Sequence, residues 1–272
     1  MTELLQNPAI QAGAVPLVVA LVVGLALGGT RYAWLAIVAG YASFVALTTG
    51  FQFDPLTASR KVLLIILAAP LVGLLVDATG GRRALVVLSV LGAGGASVWA
   101  FLSVLGQKDA NAAALAGGGV ALCVAVLVAL MLRLREDGLR TGAAGVGLGL
   151  AAGIAAMLSA SIGNFMAGIA LAAASGAMLL VQIARREPVR PGAVGALSIA
   201  VTAALVAATT FMLASLPWYA MPAMLLVPAA VLWPRASEGG VLRRSFVLGV
   251  YALVAAALPV AAAWLATRGG TP

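Results

Sequence analysis

Charged side chains are scarce in this chain. Asp, Glu, Lys and Arg make up 9% of its 272 residues, whereas a soluble domain carries roughly 25%. Apolar residues make up 63%. A chain of this composition has too little polar surface to cover itself in water, and we therefore predict an integral membrane protein made of helices.

Histidine is absent, and Cys123 is the single cysteine. Haem and zinc sites of the common kinds need histidine or several cysteines, so we expect no metal and no other cofactor. One cysteine also excludes an internal disulfide. Because Cys123 lies within an apolar segment, we predict an inert, buried thiol.

Charges are also missing from the middle of every apolar segment. Proton pumps and ion carriers usually keep such residues, since an intramembrane charge is costly and is retained for function. We find no paired carboxylates, no aspartate-rich prenyl-diphosphate motif and no Ser/His arrangement. The sequence therefore favours a protein that is not an enzyme and predicts no catalytic residue.

Ten apolar segments approach the roughly 20 residues that a membrane-spanning helix needs. The third segment is short and the ninth contains prolines, so either is a candidate for a re-entrant or tilted segment, and nine spans is the alternative count. The predicted spans cover residues 10–29, 33–52, 62–76, 84–106, 112–132, 141–162, 165–184, 193–216, 217–233 and 244–267.

The loop charges support ten spans. If the N-terminus lies outside, 12 of the 16 basic residues fall in inner loops, in agreement with the positive-inside rule. We therefore predict that both termini face outward and that the protein is a multi-pass protein of a bacterial inner membrane. The basic residues behind the net charge of +8 lie in short loops, where they set orientation in the lipid bilayer, and no nucleic-acid partner is expected.

The densest group of charges divides the chain into two halves of similar length. Five of the residues from 133 to 140 are charged, and apolar halves 10–132 and 141–266 flank them. The five spans of one half start 131 to 133 residues after those of the other, so we predict one domain over 1–272 with an inverted repeat of five plus five spans. Evenly spaced helices that imitate a repeat are the alternative.

The fourth span of each half is irregular in composition. Span four contains Gly92, Gly94 and Gly95, and span nine contains Pro222 and Pro228. Interrupted helices at matching positions of two halves indicate a substrate site near the midplane, so these five residues are the predicted substrate-binding group. Close packing at the glycines and a simple kink at the prolines is the alternative.

The end of span three carries a loop motif. Residues 73–83 read GLLVDATGGRR, and this stretch resembles the G-x-x-x-D-x-x-G-x-R-R loop of major facilitator transporters, although Ala78 stands where that family has a basic residue. The resemblance implies that Asp77, Arg82 and Arg83 take part in gating. The alternative is a turn in which Asp77 pairs with Arg82 or Arg83.

Polar residues within or beside the spans are few. Ser159, Ser161, Gly163 and Asn164 predict a turn between spans six and seven, with a substrate contact as the alternative. Thr48, Thr49, Thr209, Thr210 and Gln182 are expected to make hydrogen bonds between helices.

Two functions remain open at this point. The first is a permease, similar to secondary transporters, for a small neutral or lipid-like substrate. The second is a non-catalytic membrane subunit or assembly factor that packs against partner membrane subunits or against further copies of itself. The repeat and the paired interruptions favour the first, and the lack of midplane charge favours the second.

Overall fold

The protein is helical throughout the part that its structure, a computed structural model, describes: residues 7–28, 30, 32–233 and 240–268. Eight of its helices are long and apolar enough to cross a membrane. These are α1 (Val15–Leu27, extended by a π-helical turn at Ile10–Ala14), α3 (Ala58–Ala78), α4 (Arg83–Leu105), α5 (Ala110–Arg133), α6 (Gly138–Leu158), α7 (Ile162–Arg185), α8 (Gly192–Leu213) and α11 (Val241–Arg268).

Three shorter helices complete the described chain. They are α2 (Leu35–Thr48), α9 (Ala220–Ala223) and α10 (Leu226–Val231). All ten predicted spans fall on helices, but the second and ninth are shorter than the rest. The all-helical class is therefore confirmed over the described residues, with eight helices long and apolar enough to span a membrane.

The predicted interruption of span nine is confirmed. The segment is divided into α9 and α10, with Met224 and Leu225 between them. Pro228 has no N–H to donate to the carbonyl of Met224, and its ring clashes with that carbonyl. The helix therefore breaks one turn before Pro228.

The predicted interruption of span four is wrong. The helix α4 continues without a break from Arg83 to Leu105, through all three glycines. Glycine keeps its backbone N–H, so the helical hydrogen-bond ladder can continue through it. In lipid no water competes for the ladder, which explains why glycine alone does not end this helix.

Helix α8 forms the centre of the bundle. In its most apolar 18-residue window, 89% of the residues are buried, against 33% in α3 and 28% in α4. The helices α3, α5, α6 and α7 all pack around α8. Both halves of the sequence therefore contribute to a single core.

The closest helix pair is α6 with α7, which run side by side. A Cβ atom on Gly149 would lie 2.5 Å from the backbone nitrogen of Ala172 and 2.7 Å from the carbonyl oxygen of Gly168. Only glycine, which has no Cβ atom, permits this approach. Lipid supplies no hydrophobic drive for helix association, so close van der Waals contact of this kind holds the two helices together. Glycine thus serves close helix packing at this contact.

The helix packing does not support the inverted repeat. A two-fold relation between the halves would repeat each helix contact in its counterpart. The helix α11 packs along α6, but their counterparts α5 and α1 make no comparable contact. Likewise α1 packs on α7, whereas their counterparts α6 and α2 do not pack in this way.

Candidate functional site

Two opposite faces of the bundle hold most of its polar contacts. Asp137 lies on one, which we call the Asp137 face. Its carboxylate accepts hydrogen bonds from the N–H groups of Leu139 and Arg140 at the start of α6. It also forms ion pairs with Arg140 at 3.3 Å and with Arg244 at 2.9 Å. The charge cluster of residues 133–140 thus joins the α5–α6 loop to the first turns of α11.

Asp77, from the predicted gating motif, also lies on the Asp137 face. Its carboxylate oxygens accept hydrogen bonds from the backbone N–H of Ala193 at 2.7 Å and of Val194 at 3.2 Å. These two residues belong to the first turn of α8, where unpaired N–H groups and the helix dipole favour a negative charge. Asp77 therefore caps the central helix from a different part of the chain.

The predicted pairing of Asp77 with Arg82 or Arg83 is wrong. Both arginines are exposed, and within the described residues no ion pair joins either of them to Asp77. The Asp77 carboxylate instead accepts hydrogen bonds from the first turn of α8. Gly192 is required beside it, because its φ is +61° and a Cβ atom there would collide with the Asp77 carboxylate.

Helices α3 and α8 touch backbone to backbone next to this cap. A Cβ atom on Gly73 would lie 2.6 Å from the Cα of Val194 and 2.8 Å from its nitrogen. The glycine contact and the Asp77 cap lie one helical turn apart on α3. Together they hold the two helices at a fixed separation at this face.

A network of buried polar groups holds the neighbouring loops. The Gln182 side chain donates to the carbonyl of Gly138 at 3.3 Å and accepts from the N–H of Val189 at 3.1 Å. The indole of Trp34 donates to the carbonyl of Val189 at 3.1 Å. The expectation that Gln182 bonds between helices is therefore confirmed, with loop backbone as an additional partner.

A cavity of about 720 Å³ opens on the Asp137 face; we call it the Asp77 cavity. It lies between the end of α3, the start of α8, the loop before α2, the loop after α7 and Glu136 of the α5–α6 loop. Acidic and basic groups line it together: Asp77, Glu136, Glu187, Arg185 and Arg190.

The opposite face carries a second cavity of about 500 Å³, which we call the Thr209 cavity. It lies between the end of α2, the first half of α3, the start of α7 and the end of α8. Phe44, Ile66 and Val206 contribute to its apolar walls, and Arg60 is the one charged residue among the described residues that line it. Because Asn164 donates to Thr210 here at 3.0 Å, we call this side the Asn164 face.

The polar groups of the Thr209 cavity include hydrogen-bond acceptors on two threonines and an asparagine, beside the donors of Arg60 and Tyr41. The hydroxyls of Thr48 and Thr209 donate to carbonyls of their own helices, at 2.8 and 2.7 Å, which leaves their oxygens free to accept. The Asn164 amide donates to Thr210, and its oxygen has no partner among the described residues. Nor does the Tyr41 hydroxyl have a hydrogen-bond partner there. The cavity can therefore accept hydrogen bonds from a hydroxylated or amide-bearing solute.

The predicted substrate-binding residues are not brought together. Gly92 lines an apolar cavity of about 390 Å³ between α3, α4 and α8. Gly94 packs against the carbonyl of Ala121 in α5, and Gly95 is exposed with no atom within 4 Å of its Cβ position. Pro222 and Pro228 lie in α9 and α10, which both pack mainly on α11, and α10 also packs on α6. Substrate binding by these five residues stays a prediction.

Sequence reasoning did not single out the Thr209 cavity. Its polar residues come from helices far apart in the chain, and each alone resembles an ordinary turn or helix contact. One signal was present: Thr48, Asn164 and Thr209 all fall toward the same predicted side of the membrane. No protein-family model, characterised protein or solved structure matches the chain.

Proposed function

We propose that the protein is a membrane permease for a small, uncharged solute that carries hydrogen-bond donors. One observation carries the proposal: the Thr209 cavity and the Asp77 cavity lie at opposite ends of the same helix pair, α3 and α8. Both volumes lie in the range of roughly 300–1,000 Å³ that is usual for small-molecule sites. A path between the two faces would run along this pair.

The barrier between the cavities is shorter than the membrane. On α3, Ile66 lines one cavity and Leu74 the other, which is a separation of about 12 Å along the helix. On α8 the corresponding residues are Val206 and Val194, about 18 Å apart. The hydrocarbon layer is roughly 30 Å thick, so α3 would have to separate from α8 over about half of that thickness to join the two cavities.

The gate in this proposal is the contact between α3 and α8 at the Asp137 face. Gly73 and Asp77 make that contact to the backbone of residues 193 and 194. Hydrogen bonds to a charged acceptor are stronger than neutral ones, so the closed arrangement is stabilised until the helices separate. Asp77 thus has a gating role in this proposal through the α8 N-terminus.

The solute class follows from the lining of the Thr209 cavity. The cavity has no acidic group among the described residues that line it, and Arg60 disfavours cations. Its oxygens accept hydrogen bonds, so hydroxyl or amide protons of the solute are the matching groups. A small polyol or amide fits this chemistry better than a lipid does.

We also propose the ten-span topology, with both termini outside a bacterial inner membrane. Helix α8 ends on the Asn164 face, where Thr210 meets Asn164. Helix α11 starts on the Asp137 face, where Arg244 meets Asp137. The chain between them has to pass from one face to the other, so α9 and α10 would form the ninth crossing.

The proposal is tested in liposomes, with Cys123→Ser as a cysteine-free background. A panel of uncharged solutes of increasing size is applied, and solute entry is followed by light scattering. Residue 48 lines the Thr209 cavity; Thr48→Cys is modified with a bulky, membrane-impermeant methanethiosulfonate, which attaches through a reducible disulfide bond. Gln107→Cys, exposed in the α4–α5 loop, is the matched control.

Solute entry faster than in empty liposomes is expected, and modification at residue 48 should stop it while modification at 107 should not. Reduction of the label should restore entry. Entry at the rate of empty liposomes for every solute contradicts the permease. Entry that is unaffected by the label at residue 48 removes the Thr209 cavity from the path.

A membrane subunit is the alternative function, and one observation favours it. The Cβ positions of Gly95, Gly118 and Gly119 have no atom within 4 Å, so α4 and α5 present glycines on their surfaces. Small residues allow another membrane helix to approach closely. Co-purification of a stoichiometric partner in mild detergent, together with no solute entry, would support this function.

A further inference from the structure

A furrow with basic residues at one end runs between α4 and α5 at the Asp137 face. We call it the arginine furrow; it has a volume of about 650 Å³. Arg83 begins α4 and Arg133 ends α5, so both lie at the level where these helices leave the membrane. Apolar side chains such as Val86 and Val90 line the furrow one and two turns further in.

We propose that the arginine furrow binds an anionic phospholipid. The arginines bind the phosphate of the headgroup, and an acyl chain lies along the apolar walls. Planar guanidinium groups bind phosphate through paired hydrogen bonds. Basic pockets between membrane helices at their ends are sites of this kind. This proposal does not depend on transport.

The charge balance at the furrow favours an anion. Arg83, Arg133 and Arg135 line it together with a single acid, Glu136. Glu136 pairs with Arg135 at 3.5 Å. Within the described residues, Arg83 and Arg133 make no ion pair, and both are exposed. A phosphate would be the negatively charged partner for these two arginines.

Arg135 is held in place by the loops around it. A Cβ atom on Gly81 would lie 2.8 Å from the Arg135 guanidinium, so the guanidinium packs directly over the backbone of that turn. The carbonyl of Arg135 accepts a hydrogen bond from the N–H of Gly192 at 3.0 Å. The headgroup end of the furrow is thus built on a fixed loop.

The apolar part of the furrow is open toward the membrane. Val87 and Leu91, on the α4 wall, are 54% and 63% exposed. In a membrane this exposed surface faces lipid chains, so an acyl chain can enter sideways. The furrow therefore combines a charged end and an apolar groove in the arrangement of a phospholipid.

Binding is measured by native mass spectrometry in non-ionic detergent, with phosphatidylglycerol and phosphatidylcholine of the same acyl chains. Arg83→Gln/Arg133→Gln removes the two unpaired arginines. Arg186→Gln/Arg243→Gln is the matched control, since both residues are exposed outside the furrow on the same face. Ala129→Trp fills the apolar wall without a change of charge.

Wild type should bind phosphatidylglycerol more tightly than phosphatidylcholine. At about fivefold for each basic residue, the furrow double variant should weaken phosphatidylglycerol binding by about 25-fold. Phosphatidylcholine binding should weaken much less, because its ammonium group offsets the charge of the phosphate. The control pair should have little effect, and Ala129→Trp should weaken both lipids. An unchanged preference in the double variant overturns the proposal. So does competition by inorganic phosphate at the concentration of the lipid, which would indicate a site for the anion alone.

Discussion

The carboxylate of Asp77 accepts a hydrogen bond at 2.7 Å from the backbone N–H of Ala193, although 116 residues separate the two in the chain. The bond places the end of α3 on the first turn of the most buried helix, α8. A residue from the first half of the sequence therefore caps the central helix of the whole bundle.

Asp77→Ala is expected to lower the free energy of unfolding by about 1 kcal/mol, the usual cost of a lost N-cap. Asp77→Asn should lower it less, because the amide oxygen can still accept a hydrogen bond. Thermal unfolding in detergent measures both. Arg82→Gln and Arg83→Gln should change stability little, since neither arginine pairs with Asp77; an equal loss in these variants would restore the ion-pair interpretation.

Asp109→Ala is the control variant that removes a helix cap without touching the proposed gate between α3 and α8. Asp109 caps α5 within its own turn, accepting from the N–H of Ala112 at 2.9 Å. Its loss should cost a similar free energy, with no effect on solute entry. If Asp77→Ala and Asp109→Ala change the rate of solute entry equally, the proposed gating role of Asp77 is wrong.

Gly73→Ala is expected to destabilise the protein by about 1–3 kcal/mol, the usual cost of overpacking a close contact. The added methyl group would meet the backbone of Val194, which cannot turn away as a side chain can. Gly95→Ala is the control, because its Cβ position is open. Denaturant unfolding should show a loss for the first variant and no loss for the second.

Arg244→Gln should destabilise more than Arg140→Gln. Arg244 pairs with Asp137 at 2.9 Å and joins α11 to the α5–α6 loop, whereas Arg140 pairs at 3.3 Å within its own helix end. Only Arg244→Gln removes a contact between distant segments of the chain. Equal unfolding midpoints for the two variants would contradict a structural role for the Asp137–Arg244 pair.

Solute entry in Gly95→Leu and Thr209→Val distinguishes two locations for the substrate path. A leucine at residue 95 has open space around it, so entry should be unchanged. Thr209→Val removes one acceptor from the Thr209 cavity and should weaken solute binding by about three- to tenfold. Loss of entry in Gly95→Leu alone would favour the site predicted at spans four and nine.

Alkaline phosphatase fusions test the topology. A fusion after Pro272 should be active, because that end is predicted to lie outside, and a fusion after Asp137 should be inactive. The physical basis is that 12 of the 16 basic residues lie in loops predicted to face inward. The reverse pattern would overturn the orientation, and two active fusions would overturn the span count.

The positions of the helices could be predicted from the sequence because the signal for a membrane span is local. Each span is a run of apolar residues between turn residues or charges, and its length is set by the bilayer. The break in span nine was predictable for the same reason, since Pro228 acts on the carbonyl one turn before it. Glycine does not block the carbonyl one turn before it, so its presence does not predict a break, and α4 is continuous.

The neighbours of each helix were decided only by the tertiary structure. In lipid, helices that face the core and helices that face the membrane are both apolar, so composition does not distinguish the buried α8 from the exposed α4. The apolar runs of the sequence thus determined an all-helical chain and where its helices lie. The partner of Asp77, the two cavities along α3 and α8, and the lack of two-fold packing depend on contacts between distant residues, which no local pattern encodes.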